Sequence, residues 1–262
     1  MMSQIFLLLF VAIISIAGNY FRALTLSGSV AAFFVGVSIS LGFGLKGLLL
    51  LGFFFASSSL WSKYKKKQKE KIEDRHEKGS TRDWHQVIAN GGIGAIFSLL
   101  YMINPHPIFL IGFMISLASA NSDTWASEIG SLSKRSPIFI RTFKAVDAGT
   151  SGAVSLLGTI AALAGSFTVA CLSMYLFALS PALSFFIFIF GFLGNMFDTL
   201  IGAYLQVIFK CKQCGAIVES KRHCGKPTEH VRGFAFLNND IVNFLSALLA
   251  VLCGIFIISI FY

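Results

Sequence analysis

Charged side chains are scarce in this sequence. Of 262 residues, 13% are Asp, Glu, Lys or Arg, whereas 55% are hydrophobic and the mean hydropathy is +0.76. Soluble globular domains carry about 25% charged residues, so this composition excludes an ordinary soluble fold. Acidic residues are the scarcer kind, 12 against 21 basic, which leaves a net charge of +9. The composition predicts an integral membrane protein.

Three familiar sequence patterns are also missing. No basic segment precedes the first apolar run, so we predict a retained span and not a cleaved signal peptide. No soluble basic module with interleaved aromatic residues is present, which argues against nucleic acid as a partner. We find no inverted repeat of the kind that many transporters contain.

Eight apolar runs are long enough, or nearly so, to cross the roughly 30 Å hydrocarbon core as helices. The fifth is short and the seventh is long. They predict an all-α fold, a single polytopic transmembrane helix bundle of about eight spans that comprises residues 1–262. The runs cover residues 2–20, 26–43, 45–61, 87–103, 108–120, 152–177, 182–209 and 241–262.

The basic residues predict the orientation of this bundle. All of them except Lys46 fall near Arg22 or in the loops 62–86, 121–151 and 210–240. These connections lie on one side if the eight spans are right, and the positive-inside rule then makes them cytoplasmic, with both termini outside. The prediction is a multi-pass protein of the cell membrane, whose basic loops face anionic lipid head groups and could also attract an anionic substrate.

The stretch 121–159 combines the parts that a phosphoryl-transfer site requires. Asp123 lies just after the fifth apolar run, Arg141 and Lys144 follow in the loop, and a Gly-Thr-Ser-Gly turn at 149–152 leads into the sixth run. Carboxylates hold divalent cations, basic side chains contact phosphate, and the N–H groups of a flexible turn at a helix start bind phosphate oxygens. The turn is not a Walker motif. The prediction that it binds phosphate therefore rests on its position, directly after the basic pair and at the start of an apolar run.

Two further apolar runs repeat the pairing of carboxylate with carboxamide. Asn195 and Asp198 share a helix face in the seventh run, and Asp240 and Asn243 share one in the eighth. Such oxygens suit Mg²⁺, although an aspartate in a span can also serve as part of an interhelical pair. The Mg²⁺ ligands predicted on this basis are Asp123, Asp198, Asn121, Asn195 and Asp240.

Two smaller groups of polar residues remain. Arg82, Gln86 and Asn90 recur at a spacing of four and so lie on one helix face, turned either toward a polar cavity or toward capping and interhelical contacts. Asn90 is included among the predicted nucleotide-binding residues.

Cysteines are few, but two of them, Cys211 and Cys214, have the CxxC spacing of a metal knuckle. His223, Cys224 and His230 could complete four ligands. Structural Zn²⁺ held by Cys211, Cys214, His223 and Cys224, reduced thiols without metal, and a redox pair all remain open. A cytoplasmic location argues against a permanent disulfide.

Taken together, the motifs resemble an integral membrane family long labelled as of unknown function, which includes the plant phytyl-phosphate kinase and an animal transmembrane relative. The resemblance extends over about residues 23–250. More remotely, the chain is similar to the CTP-using membrane enzymes dolichol kinase and phosphatidate cytidylyltransferase. The motifs are, in order, QVIANGG, NSDTWASEIG, RTFKAVDAGTSGAVSLLGT, FDTLIGAYLQ, the CxxC to HCG segment and NNDIVNFLS.

This resemblance implies transfer of a phosphoryl group from CTP, or from another nucleoside triphosphate, to a prenyl monophosphate such as phytyl phosphate. It implies that Asp123 and Asp198 bind Mg²⁺ and carry catalysis. It further implies phosphate contacts by Arg141, Lys144, Thr150, Ser151 and Gly152, with Lys144 also counted as catalytic. One departure is the acidic Asp147, which lies where family members commonly have a proline-rich turn.

Two other functions fit the same residues. A cytidylyltransferase would join CMP to a lipid phosphate and release pyrophosphate. A cation-coupled transporter would use Asp123, Asp198 and Asp240 to bind the coupling ion, although the polar residues crowd one end of the spans and not the midplane where transporters bind their cargo.

Overall fold

The computed structural model of the chain describes residues 2–75 and 77–261 and consists mainly of helices. Short strands occur only in the connections between helices within this part of the chain. The helices are α1 (Met2–Tyr20), α2 (Leu26–Lys63), α3 (Lys66–Glu73), α4 (Trp84–Ile103), α5 (Pro107–Gly130), α6 (Leu156–Phe177), α7 (Pro181–Tyr204) and α8 (Asn239–Phe261). The strands are β1 (Ile138–Phe139), β2 (Lys144–Ala145), β3 (Ala153–Val154), β4 (Ile208–Lys210), β5 (Ile217–Val218), β6 (Arg222–His223), β7 (Lys226–Pro227) and β8 (Glu229–Arg232).

Helix α2 turns back on itself at Gly44. The backbone there has φ 57° and ψ −146°, outside the helical region and in a conformation that only glycine adopts readily. The Thr25 N–H donates to the Arg82 carbonyl (3.0 Å), and the Arg82 guanidinium donates to Ser59 Oγ (3.0 Å), so the two ends of α2 are adjacent. A straight helix would separate Thr25 from Ser59 by about 50 Å. The two halves therefore run antiparallel, with the boundary between the second and third predicted runs at Gly44.

Helix α5 is the centre of the bundle. Every residue from Ile111 to Ser122 is buried, and α5 packs against α2, α4, α6, α7 and α8. A helix enclosed on all sides needs small residues where its neighbours approach. A Cβ added at Gly194 would lie 1.9 Å from Ser119 Oγ, so α7 could not come this close with any larger residue.

The lengths of three helices differ from the predicted runs. Helix α5 continues to Gly130, ten residues past the predicted end at Ala120, because its last turns are polar and hydropathy alone does not reveal them. Helix α6 begins at Leu156 and not at Gly152, since β3 intervenes, and α7 ends at Tyr204, after which β4 begins.

The protein is a polytopic helical membrane protein. Within the described residues, five helices are long and apolar enough to cross a bilayer, namely α2, α4, α6, α7 and α8, and Gln4–Tyr20 of α1 is a shorter apolar helix. This count treats the folded-back α2 as one helix. Eight crossings, and the side on which the termini lie, remain predictions.

The hydrophilic connections meet at one end of the bundle. Lys69 Nζ lies 2.6 Å from Glu128 Oε2, and Arg75 Nη1 lies 2.9 Å from Asp147 Oδ2. The Glu219 N–H donates to the Arg75 carbonyl (2.8 Å). Segments 62–86, 121–151 and 210–240 thus contact one another directly.

Strands within two of these connections correct the all-α prediction. Strand β1 pairs antiparallel with β2 and β3, β4 pairs antiparallel with β5 and β8, and β6 pairs with β7. Each strand has two to four residues, too few for an alternating pattern to be recognised in the sequence. The pairing satisfies backbone groups that would otherwise be left unbonded in a folded connection.

Candidate functional site

Asp123 of α5 and Asp198 of α7 face each other with their carboxyl groups in hydrogen-bonding contact. Both side chains are half-buried. On α8, the Asn243 side-chain amide donates to Asp198 Oδ2 (2.9 Å), and Ser246 Oγ approaches the same oxygen at 3.5 Å. Two ionised carboxylates in contact repel each other, so this arrangement requires either a cation or a shared proton. Helices that are separate in sequence thus deliver two acidic groups to one point.

The carboxyl pair lies in the wall of a cavity of about 150 Å³ at the polar end of the bundle. The end of α5, the start of α6, the middle of α7, the turn before α6 and the segment after β5 enclose it. Among its lining residues that carry polar side chains are Asp123, Ser127, Thr150, Ser151, Ser155, Thr159, Asn195, Asp198, Thr199, Glu219 and Asn239.

The Gly-Thr-Ser-Gly turn forms one side of this cavity, and contacts with α7 and with the segment after α7 hold it in place. Gly152 has φ +82°, and a Cβ there would lie 2.4 Å from the Cα of Ala203 on α7, so the backbone itself packs on that helix. Ser151 Oγ donates to Gln206 Oε1 (2.6 Å), and the Arg232 guanidinium donates to the Ser151 carbonyl (3.1 Å). These contacts hold the turn against α7 and the segment that follows it.

The helix start at this cavity lies later than the sequence predicted. Ser155 is the N-cap of α6, and its Oγ accepts the N–H of Gly158 (3.0 Å). Ser155, Gly158 and Thr159 all line the cavity, so the positive end of the α6 dipole faces it. The turn itself ends at Gly152 and is separated from α6 by β3.

Arg141 and Lys144, which were predicted to contact phosphate, do not line the cavity. Both are exposed on the β1–β2 hairpin, where Arg141 lies over the Tyr204 ring at 5.8 Å. No Lys or Arg occurs among the described residues that line the cavity. The acidic Asp147 pairs with Arg75 and is also exposed, so it does not oppose an anion inside the cavity.

Asn121 is not placed beside Asp123. Its Nδ2 donates to the Gly165 carbonyl (2.8 Å) and its Oδ1 accepts from Ser57 Oγ (3.1 Å), so both ends of the amide are bonded to other helices. Residues two positions apart on an α-helix point in directions about 200° apart. Because Asp123 faces α7, Asn121 faces away from it. The structure therefore does not bring Asn121 to a shared ion.

Asp240 is also directed elsewhere. Lys78 Nζ lies 2.5 Å from Asp240 Oδ2 and 2.7 Å from Asp83 Oδ2, so an ammonium group occupies the space between two carboxylates. Burial disfavours the charge on Lys78, but its hydrogen bonds to Asp240 and Asp83 outweigh this and raise its pKa. Burial likewise opposes the charge of Asp83, but the hydrogen bonds from Lys78 and the Gln86 N–H lower its pKa. Asp240 thus belongs to a salt bridge and not to the carboxyl pair.

The structure adds two residues to the site. Asn243, noted in the sequence only as sharing a face with Asp240, donates from α8 to Asp198. Glu219 lines the cavity close enough to Asp198 to interact with it electrostatically, and Gln206 Nε2 donates to Glu219 Oε1 (2.9 Å). No local pattern marks Glu219, because a loop folded over the helix ends brings it there.

Asn90 lies at a second cavity and not at the first. This cavity has about 770 Å³, lies mainly between α1, α2 and α4, and is almost entirely apolar. Arg82, Gln86 and Asn90 all line it, as does Lys63. Asn90 Nδ2 donates to the Gln86 carbonyl (2.9 Å), so part of its hydrogen-bonding capacity is used within α4.

The predicted cysteine and histidine ligands come together outside the bundle. One ligand atom from each of Cys211, Cys214, His223 and Cys224 lies within 4.8 Å of the others. The backbone N–H of Cys214 and the His223 side chain lower the pKa of the Cys211 thiol to about 6. His230 is not part of this group, because its Nε2 lies 2.9 Å from the Gly233 carbonyl.

Comparison with known proteins identifies the family. The model of the integral membrane protein family DUF92 matches residues 9–251, which include both cavities and the cysteine cluster. This chain belongs to the DUF92 family. The membership confirms the resemblance inferred from the motifs and agrees with the helical membrane fold.

Several DUF92 relatives are similar along most of their length. Protein PGR of Arabidopsis thaliana is 32% identical over 263 residues, covering 87% of this chain and 86% of that protein. The chloroplastic protein VTE6 of the same plant is 29% identical over 245 residues, with 90% and 67% covered. An uncharacterized membrane protein of Methanocaldococcus jannaschii is 31% identical over 206 residues, with 76% and 82% covered. No solved structure matches the chain.

Proposed function

We propose that this protein is a membrane-embedded prenyl-phosphate kinase. It transfers the terminal phosphoryl group of CTP, or of another nucleoside triphosphate, to a prenyl monophosphate, and releases a prenyl diphosphate and a nucleoside diphosphate. Membership of DUF92 and the motifs shared with a family that includes the plant phytyl-phosphate kinase support this choice. The contact of Asp123 with Asp198 in the wall of a cavity at the polar end of the bundle carries it.

The residues at the carboxyl pair fit a Mg²⁺ ion. Asp123 and Asp198 provide two acidic oxygen donors from facing helices, and Asn195 and Thr199 line the same cavity. Mg²⁺ prefers oxygen ligands and takes one or two carboxylates, with water and substrate phosphates completing its shell. When bound, the ion would neutralise charge on the nucleotide phosphates.

The protein itself would orient the substrates. Backbone N–H groups of the turn 149–152 and of the start of α6 can bind phosphate oxygens without a basic side chain in the wall. The hydroxyls of Thr150 and Ser151 donate to the Asp147 carbonyl and to Gln206 Oε1, and would have to exchange these partners to contact phosphate. The acceptor is already an anionic phosphate whose oxygen attacks the terminal phosphorus while the bond to the bridging oxygen breaks, so no strong general base is needed. Arg141 and Lys144 on the exposed hairpin would attract the nucleotide toward the cavity.

The second cavity is the candidate site for the isoprenoid tail. Its lining extends along α2 from Leu48 to Lys63, about 22 Å at the helical rise, with basic Lys63 and Arg82 at the polar end. Gly52 lines it and has no atom within 4 Å of an added Cβ, so Gly52→Leu should fill space without a clash. We expect this variant to raise the KM for geranylgeranyl monophosphate much more than the KM for geranyl monophosphate. Equal effects on both would contradict the assignment.

In this proposal the reaction takes place at the cytoplasmic face. The polar end of the bundle holds the basic connections, and the positive-inside rule directs such connections to the cytoplasm, with both termini outside. The nucleotide would therefore reach the site from the aqueous side, while the prenyl tail stays among the spans.

The test is a product assay with purified protein, a prenyl monophosphate, Mg²⁺ and CTP, ATP, GTP or UTP. Label in the γ-phosphate should appear in the lipid product. Asp123→Asn and Asp198→Asn should each lower the rate by at least about two orders of magnitude. Asp147→Asn is the matched control, because Asp147 is exposed and lies outside the cavity, and should keep near-normal turnover.

Other outcomes would contradict the proposal. Transfer of α-phosphate label to the lipid with release of pyrophosphate would identify a cytidylyltransferase. Ion-driven uptake into vesicles without nucleotide turnover would identify a transporter. Near-normal rates in Asp123→Asn or Asp198→Asn would remove that residue from the catalytic role.

A further inference from the structure

The segment from Val207 to Arg232 folds over the polar end of the bundle as a small lobe built from strands β4 to β8. Its own apolar core is minimal: the buried cluster consists of Val207, Phe209 and Val218, with Ala216 packed against it. So small a core cannot by itself stabilise a folded unit, and such units normally depend on a crosslink or a metal. The lobe therefore requires another source of stability.

Three thiols and one imidazole gather at its outer end. Cys224 Sγ lies 3.8 Å from Cys214 Sγ, His223 Nδ1 lies 3.5 Å from Cys214 Sγ and 3.3 Å from Cys224 Sγ, and Cys211 Sγ belongs to the same group. Tetrahedral Zn²⁺, with bonds of about 2.3 Å to sulfur and 2.0 Å to nitrogen, places two sulfurs about 3.8 Å apart and a sulfur and a nitrogen about 3.5 Å apart. The three distances among Cys214, His223 and Cys224 are close to the edges of a zinc tetrahedron, and Cys211 Sγ lies within 4.8 Å of these atoms.

Two turns, one between β4 and β5 and one between β6 and β7, direct these side chains toward one another. Cys224 and Gly225 connect β6 and β7 with φ of 52° and 74°, the positive pair that a two-residue type I′ hairpin needs. Asn or Asp usually precedes the glycine in such turns, whereas a cysteine in the left-handed region is strained. In the other turn, the N–H groups of Cys214 and Gln213 are directed at Cys211 Sγ. Binding of a metal by the sulfurs would explain both the strained backbone at Cys224 and the N–H groups directed at Cys211 Sγ.

Neither of the other two interpretations explains this arrangement as well. A disulfide needs its sulfurs about 2.05 Å apart, and each cysteine described in the structure is a free thiol. Unliganded thiols would not require an imidazole nitrogen at the same point. The basic residues Lys212, Lys221, Arg222 and Lys226 border the two turns in sequence and would offset the net negative charge of three thiolates with one divalent cation.

We propose that Cys211, Cys214, His223 and Cys224 bind a structural Zn²⁺ ion that holds this lobe together. Four protein ligands leave no open position, so the ion is structural and not catalytic. The lobe in turn supplies Glu219 to the cavity wall, and Arg232 holds the Ser151 carbonyl. Zinc binding is thereby linked to the shape of the cavity. The proposal rests on the lobe alone and is independent of the reaction that the cavity catalyses.

The experiment measures metal content of the full-length protein, purified in detergent without metal-affinity resin or chelator, by mass spectrometry of the elements. Wild type should contain about one zinc per chain. Cys214→Ser and Cys224→Ser should each lower the zinc content of the purified protein at least about tenfold. The matched controls are Cys171→Ser and Cys253→Ser, which alter partly buried thiols of α6 and α8 and should retain the metal.

A second measurement uses wild type alone and does not depend on how the variants fold. Removal of zinc with a strong chelator should unfold the lobe, so that trypsin cleaves after the already exposed Lys212 and Lys221, and added Zn²⁺ should restore protection. The proposal is overturned if wild type contains substoichiometric zinc and takes up none when Zn²⁺ is added. It is equally overturned by a native disulfide among these cysteines, or by Cys214→Ser protein that keeps its zinc.

Discussion

Replacing Lys69 by methionine should destabilise the protein far more than the removal of an exposed ion pair does. Lys69 is 4% exposed, and its Nζ donates to Glu128 Oε2 (2.6 Å) and to the Trp61 carbonyl (2.7 Å). Methionine keeps most of the aliphatic stem but leaves Glu128, 23% exposed, without its cation. Removing one partner of a buried pair costs about 3–5 kcal/mol. At about 2–4 °C per kcal/mol for chains of this size, the unfolding midpoint should fall by roughly 10 °C.

Tryptophan fluorescence of the detergent-solubilised protein is a suitable assay. The rings of Trp61 and Trp125 lie 5.8 Å apart in the same region, so their emission reports on this contact. The control is Arg75→Gln, which breaks the Arg75–Asp147 pair, 30% and 75% exposed, and should cost less than about 1 kcal/mol. The double variant Lys69→Met, Glu128→Gln should recover part of the loss, because the side chain left without Lys69 is then neutral. Equal shifts for Lys69→Met and Arg75→Gln, or no recovery in the double variant, would refute the reasoning.

Two further predictions concern stability. Gly194→Ala should lower the folded yield and the unfolding midpoint, since its Cβ would lie 1.9 Å from Ser119 Oγ. Gly52→Ala is the control, because free space surrounds its Cβ, and it should leave both quantities unchanged or raised. A larger loss for Gly52→Ala than for Gly194→Ala would contradict the packing of α5 on α7. Because the pKa of Lys78 is raised and that of Asp83 is lowered, their interaction stabilises the fold above the ordinary Asp value of about 3.9 and below the ordinary Lys value of about 10.4. The difference in unfolding midpoint between wild type and Lys78→Met should therefore be constant near neutral pH and shrink as pH falls through the lowered Asp83 pKa. A difference that stays the same at acidic pH would contradict this stabilising role of the ion pair.

Hydropathy and charge were sufficient to predict the positions of the long helices and of the two central aspartates. Apolar runs located the long helices, and the break between the second and third runs falls at Gly44, where a single glycine allows the reversal. Asp123 and Asp198 stood out because an acidic group in an apolar run needs a partner, and each is in contact with the other.

The remaining features depend on contacts that a linear pattern does not encode. Carboxamides near an aspartate looked like ligands, but Asn121 points to the opposite side of α5 and Asp240 is paired with Lys78. The side that a polar residue faces within the bundle depends on helix rotation, which packing sets. Glu219 could not have been predicted, because it reaches the cavity only through the fold of the lobe.

The burial of α5 on every side bears on how the proposed substrates would enter. A helix held this closely by five neighbours cannot slide or rotate without forcing main chains apart, so Asp123 has a fixed position. The loops and short strands above it have few buried apolar contacts and are the parts able to open at low energetic cost. Admission and release at the carboxyl pair would then be controlled by the polar covering, while the membrane-embedded frame stays still.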